Sequence, residues 1–348
     1  MAETVPAGKN RRCIEKSINH KNKITVYPLK FEPLLKSVLW GGDAICPFKN
    51  IHPQQSGIGE SWEISGVPGD VSIVSNGDLK GKSLAELLET GGERLVGKPV
   101  FERFGTTFPL LIKFIDARQA LSIQVHPDDA LAGKRHHSFG KTEMWYVVKA
   151  AKDAFLYSGF QKEMDAETYV QSLKDDSFMQ YLQRHTVRAG DVFFLPAGRV
   201  HAIGAGCFIA EIQQTSNITY RIYDYNRTDA NGNPRELHTE LAKDAIDYRV
   251  YPNYKTDYAS SGENRELVRC PYFTTYLIEG KKGTLLHRQH RDTFVIYICL
   301  SGKLKLTDAG NHSIELRQGE TVLVPAETGG RIALQPEEDC RLLETYIS

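Results

Sequence analysis

Two histidines, a glutamate and a glutamine fall where they could hold one metal ion together. Gln124 and His126 lie in Leu121-Ser-Ile-Gln-Val-His126, and Glu143 lies in Lys141-Thr-Glu-Met-Trp-Tyr-Val147. His201 closes the run Gly190-Asp-Val-Phe-Phe-Leu-Pro-Ala-Gly-Arg-Val-His201. In a strand, residues two apart point to the same side. Ser122, Gln124 and His126 therefore share a polar face, and Leu121, Ile123 and Val125 pack on the other. Pro127-Asp128-Asp129 ends this strand, a loop spans 130–140, and Glu143 opens the next strand. Two imidazoles and two oxygen donors suit Zn, Fe, Mn, Co or Ni better than Ca or Mg. With a single carboxylate, a divalent ion keeps a net charge of about +1, as a Lewis acid requires. Gln124 is the least usual ligand of the four. His136, His137, His185, His238, His287, His290 and His312 sit in no such pattern and are expected to be hydrogen-bonded surface or core residues.

Three cations accompany this set. If strands over 110–115 and 120–126 form a hairpin across the turn 116–119, Lys113 faces Ser122 on the ligand side. Lys141 is two residues before Glu143 and shares its face. Arg221 lies in Thr219-Tyr-Arg-Ile-Tyr-Asp-Tyr-Asn-Arg227, after a strand over 208–212. Three cations aimed at a metal pocket imply an anionic substrate. Phosphate is the natural candidate, because Arg binds it bidentately and Lys as a point charge. There is no Walker loop and no GxGxxG, so a nucleotide is not indicated.

The elements that must position these groups are mostly short β-branched or aromatic runs closed by Gly, Pro, Asn or Asp, the spacing of an all-β barrel or sandwich. Helical periodicity is confined to 83–95, 165–184 and 237–246. The run Gly190 to His201 has a second copy, Gly319-Glu-Thr-Val-Leu-Val-Pro325-Ala-Glu-Thr-Gly-Gly330. Each copy reads as a turn glycine, a buried strand and a proline that ends it. Two barrels of similar design are thus expected, with a few short helices alongside: a catalytic domain over 27–255 and a second over 256–348. In the second copy Glu327 replaces Gly198 and Gly330 replaces His201, so only the first domain can carry the metal. Residues 1–26 are polar and basic without an apolar h-region, and are expected to form a disordered leader and not a secretory signal.

Composition narrows the function classes. The 348 residues carry 43 Lys plus Arg against 43 Asp plus Glu, which argues against a nucleic-acid binder. No apolar run is long enough to span a membrane. Six dispersed cysteines without a C-x-x-C read as reduced residues of a cytoplasmic protein. A monomer or homodimer is expected.

Gly190 to His201 is similar to the second cupin motif, G-x5-P-x-G-x2-H, although Ala205 stands where that motif continues with Asn. The first cupin motif, His-x-His followed soon by Glu, appears as Gln124-x-His126 with Glu143 after a longer insertion. Gln-Val-His-Pro-Asp-Asp, Gly-Lys-Thr-Glu-Met-Trp-Tyr, Gly59-Glu-Ser-Trp-Glu-Ile-Ser65 and Tyr220-Arg-Ile-Tyr-Asp-Tyr225 together resemble the type I mannose-6-phosphate isomerases, in their short bacterial form. The resemblance implies a mainly β fold of two cupin-type jelly-roll barrels. It implies one Zn2+ per chain on Gln124, His126, Glu143 and His201, with other divalent transition metals as alternatives. Lys113, Lys141 and Arg221 would serve catalysis, and Ser122, Lys113 and Arg221 would bind a small phosphorylated sugar. The implied reaction interconverts mannose 6-phosphate and fructose 6-phosphate through a cis-enediol. Its base is left open among Lys141, Glu211, Asp224 and metal-bound water. Long-form relatives have a His with a part in ring opening where this chain has Gly140. A cupin-type dioxygenase and a non-catalytic sugar-binding cupin are the competing readings.

Overall fold

The computed structural model describes residues 25–228, 232–259, 261–262, 264–289 and 292–347. The expected leader thus lies almost wholly outside the described residues, as do Cys13 and His290. The fold is mainly β, in four antiparallel sheets, none of which closes on itself. The first runs in the order β1 (Leu34–Gly42), β2 (Ile58–Ile64), β3 (Leu110–Ala117), β10 (Cys207–Gln214), β5 (Glu143–Ala150) and β8 (Val192–Leu195). The second has the order β11 (Tyr220–Tyr223), β4 (Ile123–Val125), β9 (His201–Ile203), β6 (Phe155–Phe160) and β7 (Leu182–Thr186).

The other two sheets repeat this plan. The third is β12 (Asn264–Arg269), β13 (Thr274–Gly280), β20 (Cys340–Tyr346), β15 (Val295–Ser301) and β18 (Thr321–Val324). The fourth is β14 (Leu286–Gln289), β19 (Arg331–Pro336), β16 (Lys303–Thr307) and β17 (Ser313–Arg317). Strand for strand, β2-β3-β10-β5-β8 corresponds to β12-β13-β20-β15-β18, and β4-β9-β6-β7 to β14-β19-β16-β17. The two copies of the sequence repeat supply β8 and β18, each ended by its proline.

Period-two alternation in the first sheet explains where the polar site forms. On β3, β10 and β5, the side chains of Leu110, Ile112, Phe114, Phe208, Ala210, Ile212, Met144 and Tyr146 enter one apolar cluster. That cluster also takes in α1 (Ile45–Lys49), α2 (Leu84–Gly91), α3 (Glu93–Val96), α4 (Lys98–Phe104) and, from the C-terminal half, Leu267, Phe273 and Leu343. The opposite faces of the same strands hold Ile115, Ala117, Trp145, Val147, Cys207 and Ile209, which form a second cluster. Continuing along that second face at the same period, the next positions are Lys113, Glu143 and Glu211. The space between the two sheets is therefore apolar at one end and polar at the other.

Three expectations change. Strands β3 and β4 do not form a hairpin, because β3 pairs with β2 and β10 while β4 sits in the other sheet against β11 and β9. The segment 165–184 is helical only over α6 (Ala166–Lys174), then makes a short 3-10 turn and enters β7. The segment 130–140, read as loop, is helical up to residue 136 as part of α5 (Asp129–His136), capped by the Asp128 side chain on Leu131 N. The other two helices form, the earlier broken at Gly92 into α2 and α3. The later one is α7 (Thr239–Ala245). The earlier, α2, opens with a capping box in which Ser83 Oγ accepts from Glu86 N while Glu86 Oε2 accepts from Ser83 N. Ser83→Ala removes one half of that pair and is expected to lower stability by about 1 kcal/mol, with Ser83→Asp losing little. Denaturant midpoints of the two variants check it.

Candidate metal centre and its cavity

The site is built where the two N-terminal sheets face each other. Glu143 opens β5 on the first sheet. Gln124 and His201 come from neighbouring strands of the second and are paired in register. Ile123 and Val125, flanking Gln124, are buried on the outer face with Tyr169 of α6 and Ala242 of α7, which turns Gln124 inward. His201 follows a tight turn in which Gly198 has φ +89°, a left-handed conformation that glycine adopts without strain. Gly198 N donates to His126 O at 2.9 Å, so this turn ties the two histidines together.

His126, Glu143 and His201 are all buried, and one ligand atom of each lies within 4.8 Å of the others. His126 Nδ1 donates to Ile218 O at 2.9 Å, and His201 Nδ1 donates to Arg199 O at 2.8 Å. Each carbonyl can only accept, so the proton sits on Nδ1 and the Nε2 lone pair faces the carboxylate. The Nε2 atoms stand 3.5 Å (His126) and 3.2 Å (His201) from the oxygens of Glu143. Gln124 Nε2 lies 3.4 Å from His201 Nε2, and a half-turn of the amide would present its oxygen instead.

The donor set fits a divalent cation on two observations. Both Glu143 oxygens are buried and neither takes part in a directed hydrogen bond. The Lys141 ammonium lies 3.0 Å from His126 Nε2 and 2.9 Å from Glu143 Oε2, so a positive charge already stands among these donors. Burial, with nearby Glu211, raises the Glu143 carboxyl above its usual range despite the opposing charges of Lys141 and Lys113. Burial and the Lys141 charge push His201 down to about 3 and His126 well below its ordinary value. Both imidazoles are thus neutral, the form that binds metal.

A cavity of about 410 Å³ opens beside this cluster and reaches it through Gln124 and Lys141. Ser122, Gln124, Lys113, Lys141 and Arg221 line it, as the sequence suggested, together with Arg235, Glu60 and Glu211. The register argument for Lys113 fails, but its outcome holds: Lys113 reaches the cavity from the facing sheet, not from across a hairpin. Its ammonium lies 3.3 Å from Glu211 and 3.7 Å from Glu60, over the ring of Trp62 at 4.9 Å. Burial would lower its pKa, yet Glu60, Glu211 and Glu143 together raise it, so Lys113 is a fixed cation. Glu211 Oε2 accepts from Trp145 Nε1 at 2.7 Å, and Glu211 Oε1 has no directed hydrogen bond. Burial works against the charge of Glu211, but Lys113, Lys141 and the Trp145 bond outweigh it and hold the carboxyl below its usual range. Arg221 sits opposite Gln124 in the β11–β4 register, its Nη1 donating to Glu236 O at 2.8 Å.

Arg235 was missed, because it lies in an irregular segment with no periodicity to place it. Asp224, left open as a base, is instead gripped by Arg227 and Arg235, which hold its carboxyl low against the cost of burial. The histidines read as non-ligands bond elsewhere: His136 to Tyr220 OH at 2.7 Å, His312 to Asp308, and His238 Nδ1 accepting from Arg221 N at 3.1 Å. A Cβ on Gly140 would lie 2.6 Å from the Asp128 carbonyl carbon, so the backbone leaves no room for a histidine there.

Fold and site define a protein of antiparallel β-sheets with a candidate mononuclear metal centre beside a cationic cavity. The family model "Phosphomannose isomerase type I, catalytic domain" matches residues 29–151. Mannose-6-phosphate isomerase ManA of Bacillus subtilis (strain 168) is 34% identical over 313 residues, covering 88% of this chain and 95% of its own length. Mannose-6-phosphate isomerase of Streptococcus mutans is 34% identical over 300 residues, 86% of this chain and 92% of its own. The chain belongs to the mannose-6-phosphate isomerase family. Among solved structures, the mannose 6-phosphate isomerase from Bacillus subtilis superposes with a TM-score of 0.82 at 30% identity, over 92% of this chain and 99% of that one. A phosphomannose isomerase variant from Salmonella typhimurium, 16% identical, shares the fold with a TM-score of 0.75 over 93% of this chain and all of its own.

Proposed function

We propose that this chain interconverts mannose 6-phosphate and fructose 6-phosphate. The observation that carries the reading is the His126–Glu143–His201 cluster beside a cavity whose lining has four cations, Lys113, Lys141, Arg221 and Arg235, against two carboxylates, Glu60 and Glu211. A positive excess beside a metal cluster suits a phosphorylated sugar and not the apolar substrate of a dioxygenase, and an intact cluster does not suit a non-catalytic cupin. In this reading Gln124, His126, Glu143 and His201 hold one Zn2+, whose Lewis acidity would stabilise charge on the sugar's C1 and C2 oxygens.

Arg221 and Arg235 take the phosphate, whose binding energy positions the sugar, and Ser122 offers a hydroxyl to it. Glu211, ionised and with Oε1 free of a directed hydrogen bond, removes the C2 proton and returns it at C1 of the cis-enediol. Lys113 and Lys141 are fixed cations beside the developing negative charge. The two-sheet units over 27–255 and 256–348 are read as cupin-type jelly-roll domains, the second without a metal site. Cytoplasmic residence is in keeping with the described cysteines, all of them free. No helix among the described residues is long and apolar enough to cross a membrane.

The test is a coupled assay for fructose 6-phosphate formed from mannose 6-phosphate by zinc-loaded protein. Loaded protein without turnover would sink the reading, and oxygen uptake with bound iron would favour a dioxygenase. Glu211→Gln is expected to lower kcat by about 10²-fold, the low end for general-base catalysis because this carboxylate is weakly basic, with metal content unchanged. An unchanged kcat would move the base elsewhere.

A further inference from the structure

The strand correspondence between the two halves extends to single residues at the catalytic cavity. Glu211 on β10 lies opposite Trp145 of β5 and Lys113 of β3. On the matching strands, Glu344 of β20 lies opposite Tyr297 of β15 and Tyr276 of β13. Both glutamates are buried, at 3% and 2% exposure. Each accepts a 2.7 Å hydrogen bond on Oε2 from the aromatic residue at the same place, Trp145 Nε1 in one half and Tyr297 OH in the other. Over Glu344 opens a cavity of about 370 Å³, against about 410 Å³ over Glu211. Both volumes fall within the roughly 300–1,000 Å³ of small-molecule pockets.

Two of the ligand positions have changed in this second half while a cavity remains. Glu143 pairs with Leu195 as Val295 pairs with Val324, so valine replaces the carboxylate, and Gly330 replaces His201. The charge balance differs too. Arg288 binds Glu344 through both Nε, at 2.8 Å, and Nη2, so the buried carboxylate and the guanidinium cancel. A phosphate would meet a buried carboxylate beside a guanidinium, Arg288, that is already paired. Tyr276 stands where the first cavity has Lys113, and its ring stacks on that of Tyr346 (10° between planes, centroids 6.4 Å apart), so an aromatic pair walls this side of the cavity, with Arg288 5.9 Å from the Tyr276 ring. Asn264 and Gln289 add amide donors and acceptors at the rim.

We propose that this second cavity is a binding site for a neutral, unphosphorylated hexose, with the sugar's C–H face on the Tyr276–Tyr346 wall and its hydroxyls on Arg288, Gln289 and Asn264. It binds without catalysing, and the inference rests on the geometry of this cavity alone, independent of the reaction proposed for the first.

The experiment uses full-length, zinc-loaded protein with D-mannose, D-glucose and D-fructose as probes, read by saturation-transfer NMR and calorimetry, and inorganic phosphate as the charge control. At least one hexose is expected to saturate a single site and to keep its affinity in Arg221→Ala. Tyr276→Ala should weaken that binding roughly tenfold while leaving isomerase kcat at the wild-type value. Gln289→Ala, at an exposed rim position, gives a second variant that does not threaten folding and should weaken it by a smaller factor. The proposal is overturned if no hexose binds at any soluble concentration. It also fails if binding disappears in Arg221→Ala but survives in Tyr276→Ala, which would place the sugar in the first cavity, or if inorganic phosphate displaces the sugar.

Discussion

His201→Ala is expected to strip the protein of its metal and lower kcat/KM by at least about 10³-fold, with the fold retained. The imidazole is held by Nδ1 donating to Arg199 O, by Gln124 Nε2 at 3.4 Å from its Nε2, and by ring contacts with His126 and, edge-on, with Trp145 at 5.2 Å between centroids. Of these, only the Trp145 contact crosses between the sheets, so the loss to stability is that of one buried side chain, about 2 kcal/mol. The loss to the site is far greater. It leaves one imidazole, the glutamate and the glutamine, and on the reading above a zinc ion so held would have too few strong donors. His185→Ala is the control. His185 is also a partly buried strand histidine, bonded to Ser158 O at 3.3 Å, but it lies away from the cluster and should leave both metal and turnover unchanged. Metal analysis after desalting, the coupled assay and circular dichroism separate the outcomes. A His201→Ala protein that keeps full metal and activity would remove His201 from the ligand set.

The parts of the site that could be read from sequence are those carried by local geometry. Period two placed Gln124 and His126 on one face, and the Gly-x5-Pro turn placed His201 beside a strand end; both follow from a few neighbouring residues. The repeat was legible for the same reason, since β8 and β18 are each specified within twelve residues. What could not be read was which strands are neighbours. Lys113 was placed by a hairpin that does not form: β3 and β4 are adjacent in sequence but lie in facing sheets. Its correct partner, Glu211, is nearly a hundred residues away on β10. Nothing in the sequence around Arg235 marks it for the cavity, because an irregular segment has no period. Asp224 could not be excluded as a base until the two guanidinium groups that hold it were in place.

Long-range pairing also explains why Lys141 deserves a test of its own, since its ammonium lies among the ligand atoms it was expected only to flank. Lys141→Met is expected to lower kcat by roughly 10³-fold, within the span for a group acting on protons or developing charge. Unlike His201→Ala, it should leave zinc bound. Its stability effect has a sign that depends on pH and metal. In the metal-free protein the lysine offsets the buried charge of Glu143 at 2.9 Å. Without it, the glutamate carboxyl, already raised by burial, moves further up. A carboxyl raised in the folded state makes the fold bind more protons than the unfolded chain, so stability falls as pH rises above the ordinary carboxylate range. The wild-type carboxyl already titrates at about 7, so the deficit of Lys141→Met relative to wild type should stay under about 1 kcal/mol near pH 4 and grow by only about 1 kcal/mol more near pH 8. Zinc supplies positive charge to the same carboxylate, so adding it at pH 8 should close most of that gap. Denaturant unfolding at the two pH values, with and without zinc, reads all of this. A deficit that ignored both pH and zinc would mean that Lys141 supports the fold by packing alone, and a kcat within tenfold of wild type would remove it from the chemistry.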